Sequence, residues 1–490
     1  MSFDAPLLVT FVAYLLLILF LGVKAYRRTH NLGDYILGGR KLGSVVTALS
    51  VGASDMSGWL LLGLPGAIYL SGISEIWIGI GLIIGAYLNW LFVARPLRIY
   101  SQEANNSLTL PDYFENRFND DSRTLRVISA VVILIFFTFY TASGLVGGAI
   151  LFENSFGLQY GTALLIGAFI IVAYTFIGGF LAVAWTDAIQ ALLMLAALII
   201  APMAVINGAG GPSVVIDQML TANTQSTNLF ANMTFIGFLS AVAWGLGYVG
   251  QPHILARFMA AENPLKLVSA RRIAMSWMII VLIGSVSTGL AGIAYFVDQP
   301  LDNPEIVFIA LSQSLFNPWV AGIITAAILS AIMSTIDSQL LVSSSVIGED
   351  FYRVFVRPDA SEKELLLVSR IAVIFIALLA LTIASDRESR VLDLVSYAWA
   401  GFGASFGPVI VFSLFWRSMT ALSAVIGMLI GAVTVVVWSF LSGGIFDLYE
   451  ILPGFLFASV AIVIISVLKP EQNDSTIEKY DDVQVLLTTS

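Results

Sequence analysis

The sequence predicts an all-α membrane protein with thirteen transmembrane helices. Three observations support this fold class. Hydrophobic residues make up 58% of the 490 residues and charged residues only 11%, against roughly 45 to 50% and 25% in soluble domains. Nearly uncharged stretches of about 20 residues, the length a helix needs to cross a bilayer, recur from residue 5 to residue 468. Almost all basic residues fall in alternate connections between these stretches.

Each predicted span is an apolar window bounded by polar or charged residues. The spans cover residues 5–23, 43–70, 76–94, 125–152, 160–180, 184–206, 233–255, 272–296, 318–346, 366–384, 391–415, 420–441 and 450–468. The connections between them are too short to build a soluble domain. The chain has no cysteine, which excludes disulfides and thiolate metal sites. Its net charge of −9 argues against nucleic acid as a partner.

The basic residues predict the orientation of the spans. Of the 23 lysines and arginines, only Arg387 and Arg390 fall on one face, while all others, Arg27 and Arg28 among them, fall on the opposite face. The longest connection on the sparse face, residues 207–232, contains no basic residue. By the positive-inside rule, the N-terminus lies outside and the C-terminus lies in the cytoplasm.

Six regions follow from the span assignment. They are residues 1–42 with the first helix and an inner loop, 43–206 with five spans, the extracytoplasmic loop 207–232, 233–415 with five more spans, 416–468 with the last two spans, and the cytoplasmic tail 469–490. The outer segment 298–316 is predicted to include an interfacial helix. The tail stretch EQNDSTIEKYDDVQ is acidic and is predicted to be mobile.

The second and seventh spans carry residues that weaken a helix in the middle of the membrane. The second contains GASDMSGW, residues 52–59, and the seventh contains WGLGYVGQP, residues 244–252, in which glycine and proline disfavour a regular helix. Each of these spans begins a block of five. Because five is odd, the two blocks run oppositely through the membrane and form an inverted repeat. Paired interruptions in inverted halves indicate the central binding site of a transporter.

Interrupted backbone at membrane depth leaves carbonyl oxygens that suit a desolvated sodium ion. The second span offers the carbonyls of Ala53 and Met56. The ninth span places the hydroxyls of Ser334 and Thr335 and the carbonyl of Ala331 on neighbouring faces of one helix. The sequence therefore predicts a sodium site between these spans. The alternative is that both hydroxyls only bond to carbonyls of their own helix or join two helices.

Three carboxylates, Asp55, Asp187 and Asp337, lie within the predicted spans or at their mouths. An acid inside a membrane indicates function, because its cost must be offset by a partner. Asp187 lies near the cytoplasmic end of the sixth span, where hydration by water is the alternative interpretation.

At GASDMSGWLLLGLPGA, WGLGYVGQPHILARFMA, SAIMST and SYAWAGFGASFGPV, the chain closely resembles proline-transporting members of the sodium:solute symporter family. The likeness runs from the N-terminal helix to about residue 468. This resemblance implies a five-plus-five inverted-repeat fold like that of the neurotransmitter:sodium symporters. It also implies sodium-driven uptake of L-proline across a bacterial inner membrane.

The resemblance implies roles for individual residues. Its sodium ligands are the backbone oxygens of Ala53, Met56 and Ala331 and the hydroxyls of Ser334 and Thr335. Asp55 is implied in sodium coupling. The residues that match the proline pocket are Ser57, Trp59, Gly63, Tyr140, Trp244, Tyr248 and Pro252. Helix packing or interfacial anchoring is the alternative for the aromatic residues.

Asp337 departs from the family pattern, because familiar proline symporters have a small residue at this position. Family members that carry two sodium ions place oxygen ligands at this turn, opposite an acid in the sixth span. The resemblance therefore gives a further hypothesis, a second cation site formed by Asp187, Asp337 and Ser338. The alternative is that Asp337 only bonds to the neighbours of Gln339 or to a loop amide.

The predicted partners are L-proline, sodium and membrane lipid, with no nucleic acid and no obligate protein partner. Transport makes and breaks no covalent bond, so the chain is not predicted to be an enzyme. Three alternatives stay open. They are a sodium symporter for another amino acid, a carboxylate or a sugar; a sensor or channel built on the same helices; and coupling to protons in place of sodium.

Overall fold

The computed structural model describes residues 5–26, 29 and 31–489, and this part of the chain is almost entirely helical. Within these residues, one isolated bridge between Leu42 and Ala261 is the only β-type pairing. The all-α prediction is therefore confirmed. Arg27 and Arg28, two of the basic residues behind the predicted orientation, lie outside the described residues.

The α-helices are numbered here in chain order. The first eleven are α1 Ala5–Tyr26, α2 Leu32–Leu37, α3 Ser44–Asp55, α4 Leu64–Ser71, α5 Ile76–Leu88, α6 Ala94–Glu103, α7 Leu110–Phe118, α8 Thr124–Phe156, α9 Tyr160–Ile177, α10 Phe180–Ala209 and α11 Pro212–Ala222. The next ten are α12 Phe235–Ala243, α13 Pro252–Met259, α14 Leu267–Tyr295, α15 Val307–Leu315, α16 Pro318–Ser345, α17 Glu362–Ala384, α18 Val391–Phe415, α19 Ala421–Trp438, α20 Ile451–Leu468 and α21 Asp474–Thr489.

Ten helical segments in the described residues are long and apolar enough to cross a membrane, and there are up to eleven when the bent pair Ser44–Asp55 and Trp59–Ser71 counts as one span. Large apolar side chains cover the outside of the bundle, with Phe20, Phe169 and Leu468 between 64% and 75% exposed. Such a surface is stable against lipid and not against water. The protein is therefore a multi-pass membrane protein.

Polar and charged side chains lie inside the bundle. Asp55, Asp187, Arg257 and Asp337 are each at most 2% exposed. The helix α16 lies at the centre and contacts α1, α3, α8, α10 and α17. Buried ionisable groups inside a membrane bundle indicate a functional site, because their cost must be offset by a partner.

Two connections contain helices. The helix α15 lies in the outer segment 298–316, where the sequence predicts a helix. The helix α11 lies within residues 207–232, which the sequence predicts as a loop. It begins with Pro212 in its first turn, a position that tolerates proline because no helical hydrogen bond is lost there.

The prediction of a mobile tail is wrong, because the tail forms α21 and packs against α6 and α7. Tyr480 and Val483, three residues apart, share one face of the helix and are 8% and 0% exposed. The Tyr480 ring lies 5.3 Å from the guanidinium of Arg117. Arg417 donates to both oxygens of Asp481 at 2.8 Å. A short apolar face is easily missed in an acidic stretch.

Candidate functional site

The first element of the site is the interruption of the second predicted span. The helix α3 ends at Asp55, and the chain bends by 61° before helical structure resumes at Trp59. In a continuous helix the amide of Ser57 would donate to the carbonyl of Ala53. Here it donates to the carbonyl of Asp55 at 2.9 Å. The interruption therefore frees the Ala53 carbonyl for another partner, as the sequence predicts.

Two hydroxyl groups of α16 reach this freed carbonyl. Ser334 Oγ lies 2.8 Å and Thr335 Oγ1 lies 3.3 Å from the Ala53 oxygen. The same hydroxyls lie 3.1 Å and 3.3 Å from the carbonyl oxygen of Ala331. The structure thus brings together four of the five predicted sodium ligands. The fifth, Met56, lies at the C-terminal cap of α3 and is buried.

This arrangement of oxygens can bind a cation. Each hydroxyl has one hydrogen and two lone pairs, so it can donate to a carbonyl or turn its lone pairs toward a cation. Two carbonyls and two hydroxyls from separate helices would then converge on one ion. The contacts of Ser334 and Thr335 to Ala331 on their own helix and to Ala53 on α3 are those of the alternative interpretation, and binding of an ion would require the hydroxyl hydrogens to turn away from these carbonyls.

Asp55 lies beside this oxygen cluster and is bonded to the other interrupted span. Tyr248 donates its phenolic hydrogen to Oδ2 of Asp55. Oδ1 has no hydrogen-bond partner among the described residues. Tyr248 belongs to the 3₁₀ segment Trp244–Gly250 between α12 and α13. The sequence indicates both interruptions, but it does not indicate that these two side chains meet.

Most of the predicted pocket residues cluster around Asp55. The Trp59 Nε1 and the Tyr140 hydroxyl lie 3.3 Å and 3.5 Å from the main-chain oxygen of Asp55. The Trp59 ring is 6.4 Å from the ring of Trp244. Ser57 Oγ accepts a hydrogen bond from the Trp59 amide at 3.3 Å and so lies at the start of the second half of the broken helix. Aromatic rings and main-chain polar groups therefore surround the interruption.

Two predicted pocket residues lie apart from this cluster. Gly63 is one turn beyond Trp59, and a Cβ there would lie 3.3 Å from the Cβ of Leu392. Pro252 opens α13 and faces a small gap that Ile133 and Val342 also line. These two residues border the site rather than join the aromatic cluster.

An open cavity of about 580 Å³ borders Trp244. Tyr449 stacks against Trp244 at a ring distance of 5.3 Å. Carboxylates of Glu75, Asp393 and Glu450 also line this cavity. Trp244 therefore belongs both to the lining of the open cavity and to the aromatic cluster.

Trp399 is a site residue that the sequence did not single out. Its Nε1 donates to the carbonyl of Trp244 at 2.7 Å, and its ring lies edge-on to the ring of Tyr248 at 5.1 Å. Trp399 lies within the stretch SYAWAGFGASFGPV, which carries the family resemblance. The resemblance of this stretch to the family is the sequence feature that could have identified Trp399.

A second buried cluster of charge lies one helical turn from the oxygen cluster. Nη2 of Arg257 donates to Oδ2 of Asp187 at 2.8 Å and to Oγ of Ser338 at 2.6 Å. Its Nε donates to Ser50 Oγ at 2.7 Å, and Ser50 donates to Asp187 at 2.6 Å. The structure thus joins Asp187 and Ser338, two of the three residues of the predicted second cation site, through an arginine. Asp187 is fully buried, so hydration by bulk water does not explain it.

Asp337, the third of these residues, accepts a hydrogen bond from Thr175 on α9. Its Oδ2 has no hydrogen-bond partner within the described part of the chain. The partner is a threonine of another span, and not a neighbour of Gln339 or a loop amide.

Residues 35–431 match the model of the sodium:solute symporter family. A Salmonella typhimurium protein named sodium/proline symporter is 56% identical over 474 residues, which cover 96% of this chain and 94% of that protein. A Bacillus subtilis protein named high-affinity proline transporter PutP is 48% identical over 469 residues, covering 95% of this chain and 99% of that protein.

A solved structure of a Na⁺-coupled sialic acid symporter in a substrate-bound outward-open state has a similar fold. It superposes with a TM-score of 0.82 over 96% of this chain and 100% of that chain, at 20% identity. The chain belongs to the sodium:solute symporter family.

Proposed function

We propose that this chain takes up L-proline together with sodium by alternating access. The observation that carries the proposal is the convergence of the Ser334 and Thr335 hydroxyls on the carbonyl that the broken helix frees at Ala53. The proteins with 56% and 48% identity, which are named as proline transporters, support the choice of solute. Transport of this kind requires no covalent chemistry.

Sodium binds first in this proposal. Its ligands are the carbonyls of Ala53, Met56 and Ala331 and the hydroxyls of Ser334 and Thr335, and the charge of Asp55 offsets that of the ion. The ion links α3 to α16 and so fixes the interruption in one geometry. Binding of the second ligand is then favoured, and the coupling is reciprocal.

L-proline binds beside the interruption in this proposal. A pyrrolidine ring is small and apolar and packs well against the rings of Trp59, Tyr140, Trp244 and Tyr248. Half-helix amides beyond Ser57 suit its carboxylate. Gly63 and Pro252 border this pocket, so their substitution alters its shape rather than its contacts.

The transport cycle that we propose uses thirteen spans. Two shorter apolar helices, Tyr160–Phe176 and Phe235–Gly250, join the eleven longer segments to give this number. The N-terminus is outside, the C-terminus is cytoplasmic, and the two blocks of five spans form an inverted repeat in a bacterial inner membrane. The interrupted spans and their neighbours α5 and α14 rock against the rest, driven by a membrane potential that contributes about 2.3 kcal/mol per charge per 100 mV.

We assign one sodium ion to each cycle. The predicted second cation site has its Asp187 and Ser338 bonded to Arg257, and its Asp337 is bonded to Thr175. Lipid surrounds the apolar outer surface in this proposal, and no protein partner is needed.

Uptake of radiolabelled L-proline into proteoliposomes tests the proposal. We expect accumulation when sodium is high outside, and none when potassium replaces sodium or when only a proton gradient is imposed. Unlabelled amino acids, carboxylates and sugars serve as competitors. If an unlabelled carboxylate or sugar abolishes the sodium-driven uptake and unlabelled proline does not, the assigned solute is refuted. Uptake driven equally by protons would refute the assigned ion.

A further inference from the structure

Almost all hydrogen-bond donors of the Arg257 guanidinium are bonded to oxygens in the interior of the protein. A guanidinium has five N–H donors. Nε donates to Ser50, Nη1 to the carbonyl of His253 at 2.8 Å, and Nη2 to both Asp187 and Ser338. The side chains of these four polar partners and of Arg257 are at most 1% exposed. Four donors thus bond to oxygens contributed by α3, α10, α13 and α16.

These oxygens form a set that a metal cation could also use. One carboxylate, two hydroxyls and one carbonyl are hard oxygen ligands, the kind that alkali and alkaline-earth ions select. Asp187 Oδ1 has no hydrogen-bond partner in the described residues, so the guanidinium does not saturate the carboxylate. A positive charge is needed here in any case, because an isolated buried carboxylate is too costly.

The cluster around Arg257 is connected, through two helices, to the oxygen cluster that Ser334 and Thr335 form with the Ala53 carbonyl. Ser50 lies three residues before Ala53 on α3, and Ser338 lies four residues after Ser334 on α16. Ser338 Oγ accepts from Arg257 and donates to the carbonyl of Ser334 at 2.7 Å. A positive charge at this place therefore holds together the same two helices that the sodium site joins.

We propose that the guanidinium of Arg257 is a tethered cation that takes the place of a second sodium ion beside Asp187, and so limits the transporter to one sodium ion per solute. This inference rests on the proposed function. Because the charge is covalently attached to α13, it stays with the protein through the cycle and dissipates no gradient. Removal of the guanidinium leaves Asp187 to recruit the cation that the medium supplies in excess, which is sodium.

The test is the ratio of ²²Na⁺ to labelled proline that crosses the membrane of proteoliposomes. We expect a ratio of about one for the unmodified chain and of about two for Arg257→Met, which keeps an unbranched apolar stem but removes the charged guanidinium. The double variant Arg257→Met with Asp187→Asn has neither charge of this pair, and its ratio returns to about one. Arg117→Met is the matched control, because Arg117 is also fully buried but contacts aromatic rings and the Ser413 carbonyl. Its ratio stays at about one.

A ratio of one in a transporting Arg257→Met variant would overturn the inference while leaving the proposed function intact. If the unmodified chain shows no sodium-driven proline uptake, the proposed function fails instead.

A variant that folds but does not transport is tested by its melting temperature in detergent, because a ligand stabilises a protein according to its concentration and affinity. We expect sodium to stabilise Arg257→Met with a steeper concentration dependence than the double variant, and equal dependence would overturn the inference. If Arg257→Met does not fold, Arg257→Lys keeps a tethered charge, and a ratio of two in that variant would be contrary to the inference.

Discussion

Tyr248 donates its phenolic hydrogen to a carboxylate oxygen of Asp55, and this hydrogen bond joins the interruptions of two separate helices. On one side, Asp55 lies two residues from the Ala53 carbonyl that Ser334 and Thr335 reach. On the other side, the Tyr248 ring packs against Trp399. The bond therefore lies between the proposed ion site and the aromatic pocket, where it can transmit the binding of one ligand to the other.

The first prediction concerns this coupling. In Tyr248→Phe the ring remains but Asp55 loses its donor, so sodium binding no longer orders the seventh span. We expect the factor by which sodium raises proline affinity to fall about tenfold, within the usual range of coupling between sites. Equilibrium binding of labelled proline at low and high sodium measures this factor. Tyr100→Phe is the control, because its hydroxyl is buried without a hydrogen-bond partner among the described residues. An unchanged factor in Tyr248→Phe would contradict the prediction.

The second prediction concerns the ion itself. Ser334→Ala removes a hydroxyl that reaches the freed carbonyl of Ala53, whereas Ser330→Ala, one turn earlier on α16, removes a buried hydroxyl that bonds to the Ala326 carbonyl and to Tyr14 on α1, away from that carbonyl. A bond to a charged group contributes about 1.5 to 3 kcal/mol. We therefore expect the sodium concentration for half-maximal uptake to rise about tenfold or more in Ser334→Ala. It changes little in Ser330→Ala. Equal shifts in both variants would place the ion elsewhere.

Much of the proposed ion site could be predicted from the sequence because, within each of the two spans, its residues are close along the chain. Ser334, Thr335 and Ala331 occupy one turn of a helix, and Ala53 lies beside a cluster of glycine and serine in an apolar span. Helical geometry then fixes which groups are neighbours. Helical geometry alone does not show that these two spans contact each other.

Contacts between distant segments could not be predicted in the same way. Arg257 was counted only as a basic residue of the inner face, yet it is fully buried and bonded to three other helices. A lone arginine after a helix interruption has the same local pattern whether it faces water or a carboxylate. The docked helix α21 was missed for a similar reason, because its acidic composition hides the short face formed by Tyr480 and Val483.

The third prediction concerns the packing of the interrupted seventh span. A Cβ at Gly247 would lie 1.9 Å from Nε1 of Trp399, the group that donates to the Trp244 carbonyl. Gly247→Ala must therefore displace the indole, and we expect it to lower the free energy of unfolding by about 1 to 3 kcal/mol. Gly148→Ala is the control, because a Cβ there meets nothing within 4 Å. It should raise stability by about 0.5 to 1 kcal/mol through its helix propensity. Thermal unfolding in detergent distinguishes the two, and a stable Gly247→Ala would contradict the close contact.

The fourth prediction concerns the pH dependence of α21 docking. Hydrogen bonds from Arg417 hold the pKa of Asp481 below its ordinary value in the docked helix. The undocked helix therefore binds a proton at a higher pH than the docked one, and acid favours undocking. Both forms are ionised well above pH 4, so docking should not vary between about pH 6 and pH 8. It should weaken only as the pH falls below about 4, through the lowered pKa of Asp481.

A nitroxide label at Glu478→Cys measures this docking, because the chain has no other cysteine and Glu478 is exposed on α21. We expect a broad, immobile spectrum near pH 7 that sharpens in acid. In Asp481→Asn the carboxylate that titrates is absent, so the acid step attributable to this pair should disappear and the spectrum at neutral pH should already be more mobile. A label that is equally mobile at all pH values in the unmodified helix would mean that α21 is not docked. An acid step that persists in Asp481→Asn would assign the titration to another group.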